Sequence, residues 1–226
     1  MKPLILCAAL VLAVAGCADD PVAAMAFDAA PVAAAGATAV HQPSPKVEEL
    51  VAPIALYPDV LVAQVLAAAT QPADLVHAKL WLDAYHGASA GELAQAVDGQ
   101  SWDPQVKALT LLPPVLAALN RNFAWTTALG EAYASEPAEV LRAVQAVRRE
   151  AQAAGKLAST SEQHVSAVDD SILIEPADPQ LVYLPGAAVL DIGPFERFAW
   201  GWHSWQVDWQ HGAVMYQDAP YLAKAD

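Results

Sequence analysis

Residues 50–81 read LVAPIALYPDVLVAQVLAAATQPADLVHAKLW, an apolar-dense stretch cut by proline at defined points. Pro53 and Pro58 bracket Ile54-Ala55-Leu56-Tyr57. A residue before proline is pushed out of the α region, so Tyr57 marks a break. Asp59 is then placed to cap the next helix. Val60–Ala69 carries apolar residues on nearly every face, the pattern of a buried helix. Thr70-Gln71-Pro72 restarts the chain, with proline in the first turn and Asp74 placed to complement the N-terminal dipole. Leu75, Val76, Leu80 and Leu82 give this third segment an apolar face, and Lys79 with Asp83 forms an i,i+4 pair. The stretch reads as the centre of a packed helical domain.

Helix signals continue on both sides. Val47–Ile54 precedes the stretch, with Glu48 and Glu49 at its start. Ser89-Ala90-Gly91-Glu92 is a capping box ahead of Leu93–Val97, and Gly99 ends that helix. Asp103-Pro104 opens another, with Asp103 as N-cap. Pro113-Pro114 closes it and starts the next, and Asn120–Asn122 breaks the chain again. Phe123, Trp125, Leu129 and Tyr133 share an apolar side. Ser135-Glu136-Pro137 begins the most regular helix, with Val140, Leu141, Val144, Val147 and Ala151 in one stripe. Arg142, Gln145, Arg149 and Gln152 are expected to face away, and Gly155 to end the helix.

After Lys156 the pattern turns to strands. Ile172–Ile174 and Leu181–Leu184 flank the turn-rich Glu175–Gln180 and read as a hairpin or wide two-strand connection. Trp205, Val207 and Trp209 alternate with polar residues, and Ala213–Tyr216 follows a His211-Gly212 turn. The expected fold is mainly α, a multi-helix orthogonal bundle over 47–157, with a small β-hairpin extension over 158–226 that is rich in tryptophan.

Several of these strings resemble a bacterial envelope family catalogued only as domain of unknown function 3300. Leu50–Asp59 matches its signature, and Gln64–Pro72 its alanine-rich helix and threonine-x-proline restart. Trp81, Trp102–Leu109, Leu129-Gly130-Glu131 and Ile172–Pro179 match later motifs. The likeness spans roughly Lys46–Pro185. It implies a helical envelope domain and supplies no catalytic residues.

The N-terminus fits that setting. Lys2 precedes the apolar run Pro3–Val14, too short to span a bilayer and shaped like a signal-peptide core over residues 1–16. Leu12-Ala13-Val14-Ala15-Gly16-Cys17 resembles a lipobox, which implies cleavage before Cys17 and lipid on that residue; the alternative is an ordinary signal peptide. Both cysteines, Cys7 and Cys17, lie in this region, so the remaining chain has no thiol for a disulfide or a nucleophile. More than one acyl chain makes such an anchor stable. Ala18 follows Cys17, where an aspartate would resemble an inner-membrane retention signal, so the expected location is the outer membrane facing the periplasm. Residues 17–46 form an Ala-, Pro- and Val-rich tether that averages roughly 30 Å end to end if flexible.

Charge excludes one class of partner. Charged residues are 16% of the 226, yet the formal net charge is −14. Such a chain has no electrostatic basis for holding nucleic acid, and an anionic membrane surface repels it. The expected partners are the membrane, through Cys17, and an envelope protein or cell-wall polymer.

Candidate sites are sparse. Trp200, Trp202, Trp205 and Trp209, four of seven tryptophans, fall within ten residues. Packing over the helical domain and an exposed aromatic surface are the competing readings, and packing is favoured. Tyr57 is left without a structural role and joins the candidate surface. His203, Asp208 and His211 are near in sequence but match no metal spacing with a known mechanism, and His77 and His86 do no better. No G-x-S-x-G and no phosphate-binding glycine loop occur. Asp59, Asp83 and Asp103 are candidates for paired-carboxylate chemistry, but Asp59 and Asp103 have capping roles. No catalytic residue and no cofactor are assigned. The reading is a non-catalytic, lipid-anchored binding or scaffold module; the alternative is a cell-wall hydrolase using carboxylate or histidine chemistry.

Overall fold

The computed structural model describes residues 45–85, 89–184 and 190–223. Cys17, the tether with His41, and His86 lie outside them. Eight helices occupy the first part: α1 Pro45–Val51, α2 Asp59–Ala69, α3 Pro72–Ala84, α4 Ala90–Asp98, α5 Pro104–Thr110, α6 Pro113–Arg121, α7 Phe123–Ser135 and α8 Pro137–Ala153. The fold is mainly α with a β extension at the C-terminus. Proline opens α3, α5, α6 and α8 in the first turn, where its missing N–H costs nothing. The Ser89–Glu92 capping box opens α4 with both reciprocal bonds present.

Helix α2 is the axis of the molecule. Leu61 through Ala69 are all buried, as a helix apolar on every face requires. Helix α7 presses on its C-terminal end through Gly130, where an added Cβ would stand 2.0 Å from the Ala69 carbonyl oxygen. Gly155, at φ +69°, ends α8 and lets the Lys156 N–H reach the Ala151 carbonyl at 2.8 Å. Two residues expected on apolar faces are exposed: Leu80 at 63% and Phe123 at 46%. The apolar side of α3 narrows to Leu75 and Ala78.

The β extension forms three small antiparallel sheets rather than one hairpin. Strand β1 (Gln163–Val168) pairs with β2 (Ser171–Pro176) through the Asp169-Asp170 turn. Strand β3 (Leu181–Val182) pairs with β4 (Leu190–Asp191). Strands β5 (Trp205–Asp208), β6 (Ala213–Tyr216) and β7 (Ala219–Pro220) form a meander. Ile172–Ile174 therefore pairs backward with Val165–Ala167 and not forward with Leu181–Leu184. The two-residue turn at Asp169, φ 52°, closes a tight hairpin that the turn-rich but longer Glu175–Gln180 segment does not.

Gln145 is buried and does not face solvent, which corrects its expected position. Its amide accepts from Ile172 N–H at 2.8 Å and donates to Ile172 carbonyl at 3.0 Å, so a side chain of α8 stands where a third strand would be. The aromatic segment joins the same core as the helices, with Trp200, Trp202, Trp205 and Val214 packed in one cluster with α2, α5 and α8.

Candidate functional site

The Leu56–Asp59 loop is held by a buried ion pair. Asp59 is the first residue of α2, and Pro58 takes the N-cap position with no side-chain cap bond. The expected capping role thus gives way to a longer-range one. Asp59 Oδ1 accepts from Arg148 Nη1 at 2.6 Å and from Ile174 N–H at 3.2 Å, and Oδ2 accepts from Trp209 Nε1 at 2.8 Å. Arg148, on α8, is fully buried. It also donates to the carbonyls of Ala55, Tyr57 and Ile172 at 2.8, 3.0 and 2.7 Å. Its guanidinium lies 4.8 Å from the Trp209 ring centroid. Burial pulls the guanidinium pKa down, and the Asp59 charge acts against that shift. Arginine still stays charged, so the pair ties α2, α8, β2 and the segment after β5 at one point, with its polar capacity spent on structure.

The tryptophans counted in sequence do not share one fate. Trp200, Trp202 and Trp205 are 3%, 5% and 0% exposed. Trp200 Nε1 donates to Asp98 Oδ1 at 2.7 Å, and Trp205 Nε1 to the Trp200 carbonyl at 3.4 Å. These rings are interior, and Trp209 is half-buried against Arg148. His203 faces Glu196 at 2.9 Å, while His211 faces Asp208 at 2.8 Å. Hydrogen bonds from His211 hold the Asp208 carboxyl below the usual carboxylate range. Each histidine thus has its own carboxylate, and no three metal-ligating side chains gather among the described residues. His77 is exposed beside Asp74 at 3.9 Å. Lys79 and Asp83 form the expected surface pair. Asp103 holds the N-cap position of α5 without a capping bond; its carboxylate accepts from Gln71 Nε2 at 2.6 Å.

Two clefts flank the loop. One, of about 350 Å³, is apolar and lined by Ile54, Tyr57, Val65, Leu119 and Trp125. Tyr57 is half-buried there, and burial raises its phenol pKa. The Trp125 indole donates to the Leu50 carbonyl at 2.9 Å and fixes the wall. The other, of about 460 Å³, is mixed and lined by Asp59, Ile174, Glu175, Pro179, His203 and Gln206. A third, far smaller void of about 10 Å³ sits by Gln64, whose buried Oε1 has no partner among the described residues. It is large enough for about one water molecule.

A second aromatic group gathers away from the 200–209 run. Trp81 in the last turn of α3 and Tyr85 at its C-cap stack with centroids 4.9 Å apart and planes at 20°. Trp102 meets Trp81 in a T at 5.4 Å and 84°. All three are partly exposed. The i,i+4 spacing of Trp81 and Tyr85 was a readable signal, but the arrival of Trp102 is tertiary. The loop carrying it is tied back to α3 by the Gln71–Asp103 bond, and Gln105 Nε2 adds bonds to Gln71 Oε1 and the Tyr221 hydroxyl, each at 3.0 Å.

A family model described as "Protein of unknown function (DUF3300)" matches residues 44–221. The uncharacterized protein YacH of Escherichia coli (strain K12) is 32% identical, and the alignment covers 62% of this chain and 28% of that relative. The chain therefore spans under a third of the relative's length. No solved structure matches.

Proposed function

The chain belongs to the DUF3300 family, whose function is unknown, and on that premise we propose that it is a lipid-anchored envelope protein acting as a non-catalytic binding or scaffold module. Its partner is an envelope protein or a cell-wall polymer, and Cys17 carries the anchor at the outer membrane. One contrast supports the reading: the Asp59–Arg148 centre is spent on internal bonds, while donors with no partner among the described residues collect at the partly exposed Trp81–Tyr85–Trp102 cluster. A catalytic site gathers ionisable groups free to exchange protons; a binding surface presents aromatic rings and unsatisfied donors.

Crosslinking in intact envelopes followed by affinity capture tests the module reading. Recovery of a defined partner supports it, and a chain that crosslinks to nothing overturns it. The anchor has a separate test. Cys17→Ser is expected to move the protein out of the membrane fraction, and retention there would refute lipidation at this residue.

A further inference from the structure

We propose that Trp81, Tyr85 and Trp102 form a saccharide-stacking site for the neutral pyranose rings of a cell-wall glycan, an assignment that rests on the envelope-module reading above. Aromatic side chains that serve packing bury their polar handles in hydrogen bonds. Four of the seven indoles do so: Trp125, Trp200, Trp205 and Trp209 each donate to an oxygen. Trp202 is the exception, a ring enclosed in the core whose indole makes no such bond among the described residues, so openness to solvent has to accompany a free N–H. The indole N–H groups of Trp81 and Trp102 and the hydroxyl of Tyr85 have no hydrogen-bond partner among the described residues, and all three rings are partly open to solvent.

The cluster is also held in place. Trp81 rides on α3 and Tyr85 is its C-cap residue, its backbone N–H bonded to the Leu82 carbonyl, and the Gln71–Asp103 bond fastens the Trp102 loop to the start of that helix. A preorganised surface loses less freedom on binding than a mobile one.

The ligand chemistry follows from these groups. The flat rings need a partner with a face of C–H groups. The three donors, partly open to solvent, can exchange water for acceptor oxygens on a ligand. A pyranose ring supplies both, in its axial C–H face and in its hydroxyl, ring and acetamido oxygens. An aliphatic side chain covers the rings but leaves the donors unpaired. A polyanion meets a protein of net charge −14 and is repelled. A neutral, N-acetylated sugar is the class that fits. None of the three residues lines the apolar or the mixed cleft, as suits a surface that stacks along a polymer and does not enclose a small molecule.

The test uses the full chain carrying Cys17→Ser, with two probes: purified peptidoglycan sacculi, read by co-sedimentation, and soluble β-1,4-linked N-acetylglucosamine oligomers, read by titration of tryptophan fluorescence. Trp81→Ala and Trp102→Ala are each expected to weaken binding about tenfold, equivalent to ~1.4 kcal/mol. Trp102→Phe keeps a ring and loses the N–H, so its loss is expected to be smaller. It serves as the second variant if an alanine substitution melts early. Failure of the parent protein to bind either probe overturns the proposal. So does unchanged affinity in folded Trp81→Ala and Trp102→Ala proteins. Envelope capture keeps the two readings apart. A partner captured while neither probe binds overturns the saccharide site but leaves the module standing, whereas no capture and no binding to either probe overturns both.

Discussion

The aromatic run over 200–209 and the trio Trp81, Tyr85 and Trp102 invite opposite mistakes. The first is dense in sequence and closed in space. The second is dispersed in sequence and gathered at the surface. The reason lies in what each segment has to cover. The β extension is thin, and β5 with the turns before it brings Trp205, Trp200 and Trp202 into the helical core. Large rings bury the area that a small sheet cannot supply alone. Helix α3 fully buries only Leu75 and Ala78, and the tryptophan rings near its C-terminal end pack against the core on one side while staying partly open to solvent. Tryptophan density in sequence reports how much cover is needed, whereas rings that meet only through the tertiary fold can stay partly open to solvent.

The largest expected effect strikes the closed region. Arg148→Ala should cost about 3–5 kcal/mol in chemical denaturation, since it removes the charge partner of the part-buried Asp59 and the donor to the Ala55, Tyr57 and Ile172 carbonyls. A loss under 1 kcal/mol would show that the pair is not what holds the extension down. Trp205→Ala should cost a similar amount, about 3–5 kcal/mol, through the cavity it opens. Trp209→Phe is milder. It keeps a ring beside Arg148 and removes the N–H that Asp59 accepts, so about 1.5–3 kcal/mol is expected from the lost bond to a charged group.

The pH dependence sharpens the same contrast. Burial pushes the Tyr133 phenol up to about 12, and it bonds the backbone at Val214 on the β extension. Its unfolded value is near 10. The folded state therefore holds the proton between those values while the unfolded state releases it, so stability falls as pH rises from about 10 to about 12. Tyr133→Phe should flatten that decline; an unchanged slope would place its origin elsewhere. The smallest effect belongs to the open cluster. Trp81→Ala should shift stability by about 1 kcal/mol or less, the range of partly exposed positions. A loss as large as that of Trp205→Ala would erase the distinction between the two regions.

Much of the fold is legible in local chemistry. Proline at helix starts, the Ser89–Glu92 box and the all-round apolar face of α2 each name their element, because each acts within one or two turns. Arg148 was legible too and was passed over. It lies four residues after Val144 and seven after Leu141, in register with the buried stripe; adjacency to the exposed Arg149 hid it. Gln145 shares that face. The β2 pairing was not legible, because Ile172–Ile174 alternates in the same way whichever neighbour it pairs with, and the choice is made by the turn at Asp169. Asp59 illustrates a different gap. Its place at a helix start is correctly read from sequence, but its partners come from residues about ninety and more positions away. The Trp102 contact with Trp81 is hidden for the same reason.

Gln145 has a consequence for life at high local density. By filling both hydrogen-bonding positions of Ile172, and with Asp59 taking the Ile174 N–H, the helices deny the outer edge of β2 to any incoming strand. Molecules concentrated side by side on one surface could otherwise zip together through such an edge into continuous sheets. The glutamine acts as a blank terminator, so the little sheet cannot grow past β2 however crowded its neighbours become.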